Sequence, residues 1–291
     1  MLIVIHRGVD ADAIISAYIY SKLFHIPEDN VITIEQLEDV RDDEITILDI
    51  PEDRINYDLL KKNRLRVVEH IDHHYSQRFR STAEMIREKY RGCREWCSFF
   101  DMLVEFANIC DTGEIHTLPK EVRMFTLSGI ISAMKKSGYS DKTIIKEIFL
   151  ILDELKYYNE KTSDNYLKNL DNIQILDING YKVAVVVDTR THINSMLFEK
   201  GIHIIVYSDG NNIGVVRNAR FNDINLYGLK EHITNVLKKK NGMDELREWY
   251  FHPRGFIVCR GTNKYPVKSP SVLTVWDLVE CLKKYLNEYK N

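Results

Sequence analysis

Met1-Leu2-Ile3-Val4-Ile5-His6-Arg7-Gly8-Val9-Asp10-Ala11-Asp12-Ala13 is the stretch that decides the fold. Five residues of apolar character run without interruption into a histidine and then two acids spaced two apart. A short continuous apolar run predicts a buried strand rather than a half-exposed one. Residues 12–24 then follow at helical spacing, with Ile14, Ile15, Tyr18, Ile19 and Leu23 on one face.

Outward from there, residues 30–34, 44–50 and 65–71 read as strands and residues 57–63 as a helix. The resulting β-α-β-β-α-β order predicts an α/β fold whose mostly parallel sheet is flanked by helices. Residues 81–170 read as mainly helical, with breaks at Leu118-Pro119 and Ser137-Gly138. Near residue 171 the periodicity changes. Residues 173–178 and 181–187 flank Asn179-Gly180, a two-residue hairpin signal, and residues 201–207 and 213–216 flank Asp209-Gly210-Asn211-Asn212. A helix over 226–238, a strand over 255–258 and a helix over 275–289 complete the pattern. The expected organisation is a first domain over 1–158, a connector over 159–172 and a smaller α+β domain over 173–291.

Composition limits the class. Of 291 residues, 44% are apolar and 29% charged, the balance of a globular protein, and 6 prolines with 13 glycines leave no low-complexity stretch. No apolar run approaches the ~18–20 residues of a membrane span, and the opening run is too short for a signal-peptide core. The expectation is a cytoplasmic protein whose five cysteines are free thiols. The spacing of Cys93, Cys97, Cys110 and His116 is loose for zinc and lacks a second tight ligand pair. The net charge of −3 hides an asymmetry: residues 1–175 carry 23 Lys+Arg against 31 Asp+Glu, and residues 176–291 carry 17 against 12. An acidic front and a basic back suit a cation site facing a surface for anionic substrates; two solvated surfaces that merely differ fit the count equally well.

Acids or histidines end an apolar or helical run at four places: His6 to Asp12, Asp49 after Ile45-Thr46-Ile47-Leu48, Asp72-His73-His74 after Val67 to Ile71, and Asp111-Thr112-Gly113-Glu114 after the helical 99–109. Taken singly, Asp10 or Asp12 reads as a helix cap, Asp49 as a turn residue, the His pair as surface, and Asp111 as a helix boundary. In an open α/β sheet, however, strand carboxyl ends converge on one crevice. It would hold Asp10, Asp12, Asp49, Asp111, His6 and His73. Four carboxylates so close stay ionised only if cations neutralise them, and two divalent ions sharing a carboxylate meet that requirement.

His6-x3-Asp10-x-Asp12-Ala13, the strand-end Asp49, Asp72-His73-His74 and Asp111-Thr112 resemble the four ordered motifs of the DHH phosphoesterases. That superfamily includes RecJ-type exonucleases, nanoRNases, cyclic-dinucleotide phosphodiesterases, exopolyphosphatases and family II pyrophosphatases. The resemblance implies two divalent cations, Mn²⁺ before Mg²⁺ or Co²⁺. His6, Asp10 and Asp49 would hold one; Asp12, Asp49, His73 and Asp111 would hold the other, with Asp49 bridging. It implies His74 as the group facing the substrate phosphate, with Asp49 and His74 central to catalysis by an in-line attacking hydroxide.

Nuclease-like members also carry a C-terminal DHHA1 domain with a substrate-gripping Arg and a glycine-rich loop ending in His. Here Val215-Val216-Arg217 resembles the strand with the Arg, and Phe251-His252-Pro253-Arg254-Gly255 stands where the loop would be. Glu248-Trp249-Tyr250-Phe251 replaces the glycines, so this domain reads as a divergent DHHA1 type. Trp249, Tyr250 and Phe251 would either stack on a base or pack the small domain's core. Arg217, His252 and Arg254 are the expected phosphate contacts, although each is also readable as a surface ion-pair residue.

The expected activity is a metal-dependent phosphodiesterase or phosphohydrolase. Its substrates would be short nucleotides, cyclic dinucleotides or single-stranded nucleic acid ends, held in the cleft between the domains of a chain that pairs as a homodimer. The alternatives are a polyphosphate or phosphoanhydride hydrolase and a non-catalytic scaffold of the same fold, which would be expected to lack metal ligands.

Overall fold

β1 (Leu2–Ile5) forms from the opening apolar run and lies at the centre of a four-stranded, all-parallel sheet of order β2-β1-β3-β4. The computed structural model describes residues 1–168, 173–187, 194–221, 223–262 and 265–289, in two units, Met1–Asn159 and Glu160–Asn291.

In the first unit β2 (Val31–Thr33) pairs in parallel with β1, Ile3 opposite Val31; β3 (Glu44–Leu48) takes the other side, Ile3 opposite Thr46, and β4 (Arg66–Ile71) forms the outer edge. The helix after β1, α1 (Ala11–Leu23), departs from the single apolar face expected of it. Every residue except Lys22 is buried, because the sheet covers one side and α3 (Thr82–Tyr90) and α4 (Ser98–Asp111) cover the other. Ala11, Ala13 and Ala17 leave room for that double contact. Each large aliphatic chain buried here contributes ~1.5–3 kcal/mol. The opposite sheet face is closed by a smaller cluster around Val4, Ile45 and Ile47, roofed by Leu37 and by Leu60 of α2 (Tyr57–Lys62).

Beyond α4 come α5 (Lys120–Arg123), α6 (Leu127–Lys136) and the long α7 (Asp141–Lys168), interrupted where Pro119 and Gly138 predict. The expected connector is helix through Lys168; its residues 169–172 lie outside the described ones.

The second unit is a six-stranded mixed sheet of order β5-β6-β7-β8-β10-β9. β5 (Ile173–Ile178) and β6 (Tyr181–Val186) form the hairpin expected at Asn179-Gly180, both residues having positive φ as this turn demands. β7 (Ile204–Asp209) pairs in parallel with β6 after α8 (Asn194–Glu199), and β8 (Asn212–Arg217) returns antiparallel. β10 (Ile257–Arg260) pairs with β8 and with β9 (Trp249–Phe251), a strand the sequence reading does not contain. α9 (Leu229–Lys239) and α10 (Val275–Tyr289) pack an apolar face onto the sheet.

Candidate metal centre

Three strand ends and one helix end deliver the acids and imidazoles of the first unit to one place. His6 follows β1, Asp49 follows β3, His73 and His74 follow β4, and Asp111 ends α4. His6, Asp10 and Asp49 form one group of ligating atoms within 4.8 Å of one another; Asp12, His73 and Asp111 form a second, and Asp49, His73 and His74 a third. The four separate motifs of the sequence therefore meet.

Asp49 sits between the groups. Its Oδ2 lies 3.4 Å from His6 Nε2, and its Oδ1 lies 3.5 Å from His73 Nε2 and 3.9 Å from His74 Nδ1. His6 Nε2 is also 3.5 Å from Asp10 Oδ2, and His73 Nε2 is 3.1 Å from Asp111 Oδ2 and 3.7 Å from Asp12 Oδ2. Most of these separations exceed a good charge-assisted hydrogen bond of ~2.7–2.9 Å. Two atoms bound about 2.1 Å from one ion at about 90–110° would lie about 3.0–3.4 Å apart, close to what is seen. The donor set fits divalent cations.

Local structure holds each ligand in that orientation. Asp49 has φ +58°, a left-handed conformation rare for a residue with a side chain, and its N–H donates to Ile71 O at 3.0 Å. Asp10 uses one oxygen to cap α1, accepting from Ala13 N at 3.0 Å, and turns the other toward His6. Capping thus leaves Asp10 one oxygen that could hold a cation. His6 Nδ1 donates to Arg7 O at 2.8 Å, which leaves Nε2 as the ligating atom. His74 Nδ1 donates to Asp72 Oδ1 at 2.6 Å, which fixes the ring with Nε2 free of that bond.

The start of α3 provides a second layer absent from the sequence reading. Thr82 N and Ala83 N donate to Asp12 at 2.7 and 3.1 Å, Ser16 Oγ donates to it at 3.2 Å, and Thr82 Oγ1 donates to Asp49 Oδ1 at 3.0 Å. The one trace of this in sequence is Ser81-x-x-Glu84, a helix-start signature. It marks where α3 begins, and only the fold aims that beginning at Asp12.

The electrostatics are those of acids and imidazoles gathered in a place that burial keeps from water. Burial raises the Asp12 pKa well above the usual carboxylate range, and the neighbouring Asp49 adds to the rise. Burial likewise raises Asp111; His73 opposes that rise while Asp49 and Asp10 reinforce it. Burial works against a charged His6, but the neighbouring carboxylates of Asp10 and Asp49 overcome it and lift its pKa to about 11. Burial also disfavours ionised Asp10, and His6 reverses that, leaving its pKa below the ordinary value. A divalent cation would compete with protons for these same atoms.

In the second unit, Arg217 is buried and spends its guanidinium on the carbonyls of Gly255 (3.2 Å), Asn218 (3.3 Å) and Phe221 (2.9 Å), with Phe256 4.4 Å beneath it. Gly255 has φ +63°, and a Cβ there would fall 1.9 Å from Asn225 Oδ1, so this turn admits only glycine. His252 is half-buried with its Nδ1 accepting from Arg254 N at 3.0 Å, and Arg254 is exposed. Trp249 packs into the core, whereas Tyr250 is 52% exposed. All five cysteines are free thiols, and no described helix is long and apolar enough to cross a membrane.

No family model and no curated protein matches this sequence. Solved structures similar to it over 99% of its length include an uncharacterized protein from Helicobacter pylori G27 (12% identity, 99% of that chain, TM-score 0.35). An exopolyphosphatase-related protein from Bacteroides fragilis is similar at 15% identity, over 92% of its chain, with a TM-score of 0.30. A structure described as the DHH domain of a member of a ribosomal-protein family is similar at 13% identity, over 86% of its chain, with a TM-score of 0.33. Superpositions this loose leave the reading of function to the site's own geometry.

Proposed function

We propose that the first unit binds two divalent cations, Mn²⁺ before Mg²⁺ or Co²⁺, and hydrolyses phosphoesters of short nucleotides or single-stranded ends. The observation that carries this reading is Asp49, one buried carboxylate whose two oxygens face two different ligand groups. A shared carboxylate is how two-cation hydrolases hold their ions close together. His6, Asp10 and Asp49 would hold one ion, and Asp12, Asp49, His73 and Asp111 the other. Mixed imidazole and carboxylate donors suit a borderline ion such as Mn²⁺ better than Mg²⁺.

When bound, the cations supply Lewis acidity toward the phosphoryl oxygens and make water available as a nucleophile near neutral pH. The protein's own groups do the rest. Thr82 and the α3 amides keep Asp12 and Asp49 aimed inward, so little reorganisation is needed during reaction. Asp72 holds His74 by Nδ1, which leaves Nε2 as the ring atom available to the phosphoryl group. The runner-up substrate, a phosphoanhydride chain, uses the same centre and is favoured by a basic pocket in the same unit.

Metal analysis of the chain after Mn²⁺ loading, with hydrolysis of bis-p-nitrophenyl phosphate, tests the reading. The expected result is two ions per chain and turnover that requires them. A chain that binds no divalent ion, or a metal-loaded chain that leaves a panel of dinucleotides, cyclic dinucleotides and tripolyphosphate intact, overturns it.

A further inference from the structure

The first unit has a second concave site, of 370 Å³, between the turn after α4 and helices α5 and α6. Its lining carries three cations and no carboxylate, Lys120, Arg123 and Lys136, beside His116 and the hydroxyls of Thr126, Ser128 and Ser132. That composition runs against the unit around it, which is strongly acidic. Several other cations of the unit are matched by carboxylates, as in Arg78–Glu88, Arg87–Glu105 and Lys22–Asp153. Among the described residues, Lys120, Arg123 and Lys136 make no ion pair. Arg123 donates to His116 Nδ1, while its Nε is buried with no hydrogen-bond partner. A buried donor left unmatched is destabilising.

The pocket is built rather than incidental. A Cβ on Gly129 would sit 2.3 Å from Arg123 O, so only glycine lets the end of α5 lie this close against α6 and hold Arg123 in place. The pocket also adjoins the acid cluster through one side chain. Lys135, next to the pocket-lining Lys136 on α6, donates to Gly8 O at 2.7 Å, in the loop between His6 and Asp10.

We infer that Lys120, Arg123 and Lys136 form a phosphate-binding subsite for a second, non-reacting phosphoryl group of a substrate carrying several. An anion there neutralises the three cations, and a phosphate chain continues from it to the phosphoryl group that reacts. The subsite's size, near the lower end of the ~300–1,000 Å³ range for small-molecule sites, suits a phosphate chain or a nucleotide's phosphates rather than a folded partner. Its role in turnover rests on the phosphoester reading; its capacity to bind an anion does not.

The test is calorimetric titration of the full chain, stripped of metal and held in chelator, with tripolyphosphate and separately with a 5′-phosphorylated dinucleotide. Saturable binding of at least one probe is expected, weakened at least tenfold in Lys120→Glu/Lys136→Glu, whose two sites are exposed and tolerate charge reversal. Arg123→Lys, which keeps the charge, is expected to retain more affinity than Arg123→Gln. The probe that binds more tightly tells an inorganic from a nucleotide-borne phosphate chain. Absence of binding by both probes, or affinity unchanged by the charge reversals, overturns the subsite. Hydrolysis of bis-p-nitrophenyl phosphate by the metal-loaded wild type is read in parallel, so failure of the metal centre is seen separately.

Discussion

Asp49 and Arg217 occupy similar positions in their two units, each a charged residue at the end of a sheet strand, 2% and 6% exposed. Their surroundings differ. Arg217 donates to three backbone carbonyls at 2.9–3.3 Å and has one aromatic ring against its plane. Asp49 accepts one side-chain hydrogen bond, from Thr82, and otherwise faces three imidazoles at 3.4–3.9 Å. The Arg217 charge is spent on holding a turn. The Asp49 charge is engaged by fewer hydrogen bonds and could hold a cation. The expectation that Arg217 grips substrate has to be weighed against the bonds it already makes.

The largest effect that sharpens this contrast comes from Asp49→Asn. Loss of the bridging charge is expected to lower hydrolysis at least about 10³-fold, the scale of losing a principal electrostatic stabiliser, and to leave one or no tightly held ion. The circular dichroism spectrum stays that of the wild type. Near-normal turnover in excess Mn²⁺ would break the comparison, because Asp49 would then be merely structural. His6→Ala follows, with Mn²⁺ affinity expected to fall at least about 10–100-fold, as for groups supporting a metal site.

Proton linkage sharpens it further. Burial raises the Asp12 and Asp111 pKa values and His6 is lifted to about 11, so all three lean toward the protonated form with which a cation competes. Metal binding therefore releases protons, and affinity falls as pH falls. Calorimetry in buffers of different ionisation enthalpy reads the release directly; proton uptake on binding would contradict this assignment.

Arg217→Met tests the other side of the comparison. Leaving carbonyls unsatisfied within the second unit is expected to lower stability by about 2–4 kcal/mol, seen in urea unfolding, while metal stoichiometry stays unchanged. A variant of wild-type stability with weakened nucleotide binding would instead make Arg217 a substrate group.

The smallest expected effect lies away from both sites. Burial would raise the Glu69 pKa, but hydrogen bonds from Lys89, Tyr20 and Tyr90 outweigh it and hold it below its ordinary value. A depressed carboxyl stabilises the fold fully above the ordinary glutamate pKa and loses that contribution as pH falls through the folded value. Glu69→Gln is expected to cost about 1 kcal/mol near neutral pH and to flatten the acid limb of a stability–pH curve. An unchanged acid limb removes Glu69 from the account.

Much of the first unit was legible because buried parallel strands and amphipathic helices leave strong periodic signals. The sequence order of strand ends also specifies which acids reach a sheet's rim. β9 was not legible: Trp249-Tyr250-Phe251 is three residues long and becomes a strand only because β10 offers it a free edge. The full burial of α1 was not legible either, since Ala and Ser on its outer face look neutral until α3 and α4 cover them.

The sequence by itself determined which side chains able to hold a cation stand at the ends of β1, β3 and β4 and at the end of α4, because residue type and periodicity are local properties. Only the tertiary structure decided that both oxygens of Asp49 face separate ligand groups, that α3 aims its first amides at Asp12, and that the Arg217 guanidinium is engaged by carbonyls. Those outcomes depend on distances between segments tens of residues apart, and such distances are set by packing rather than by any stretch of chain alone.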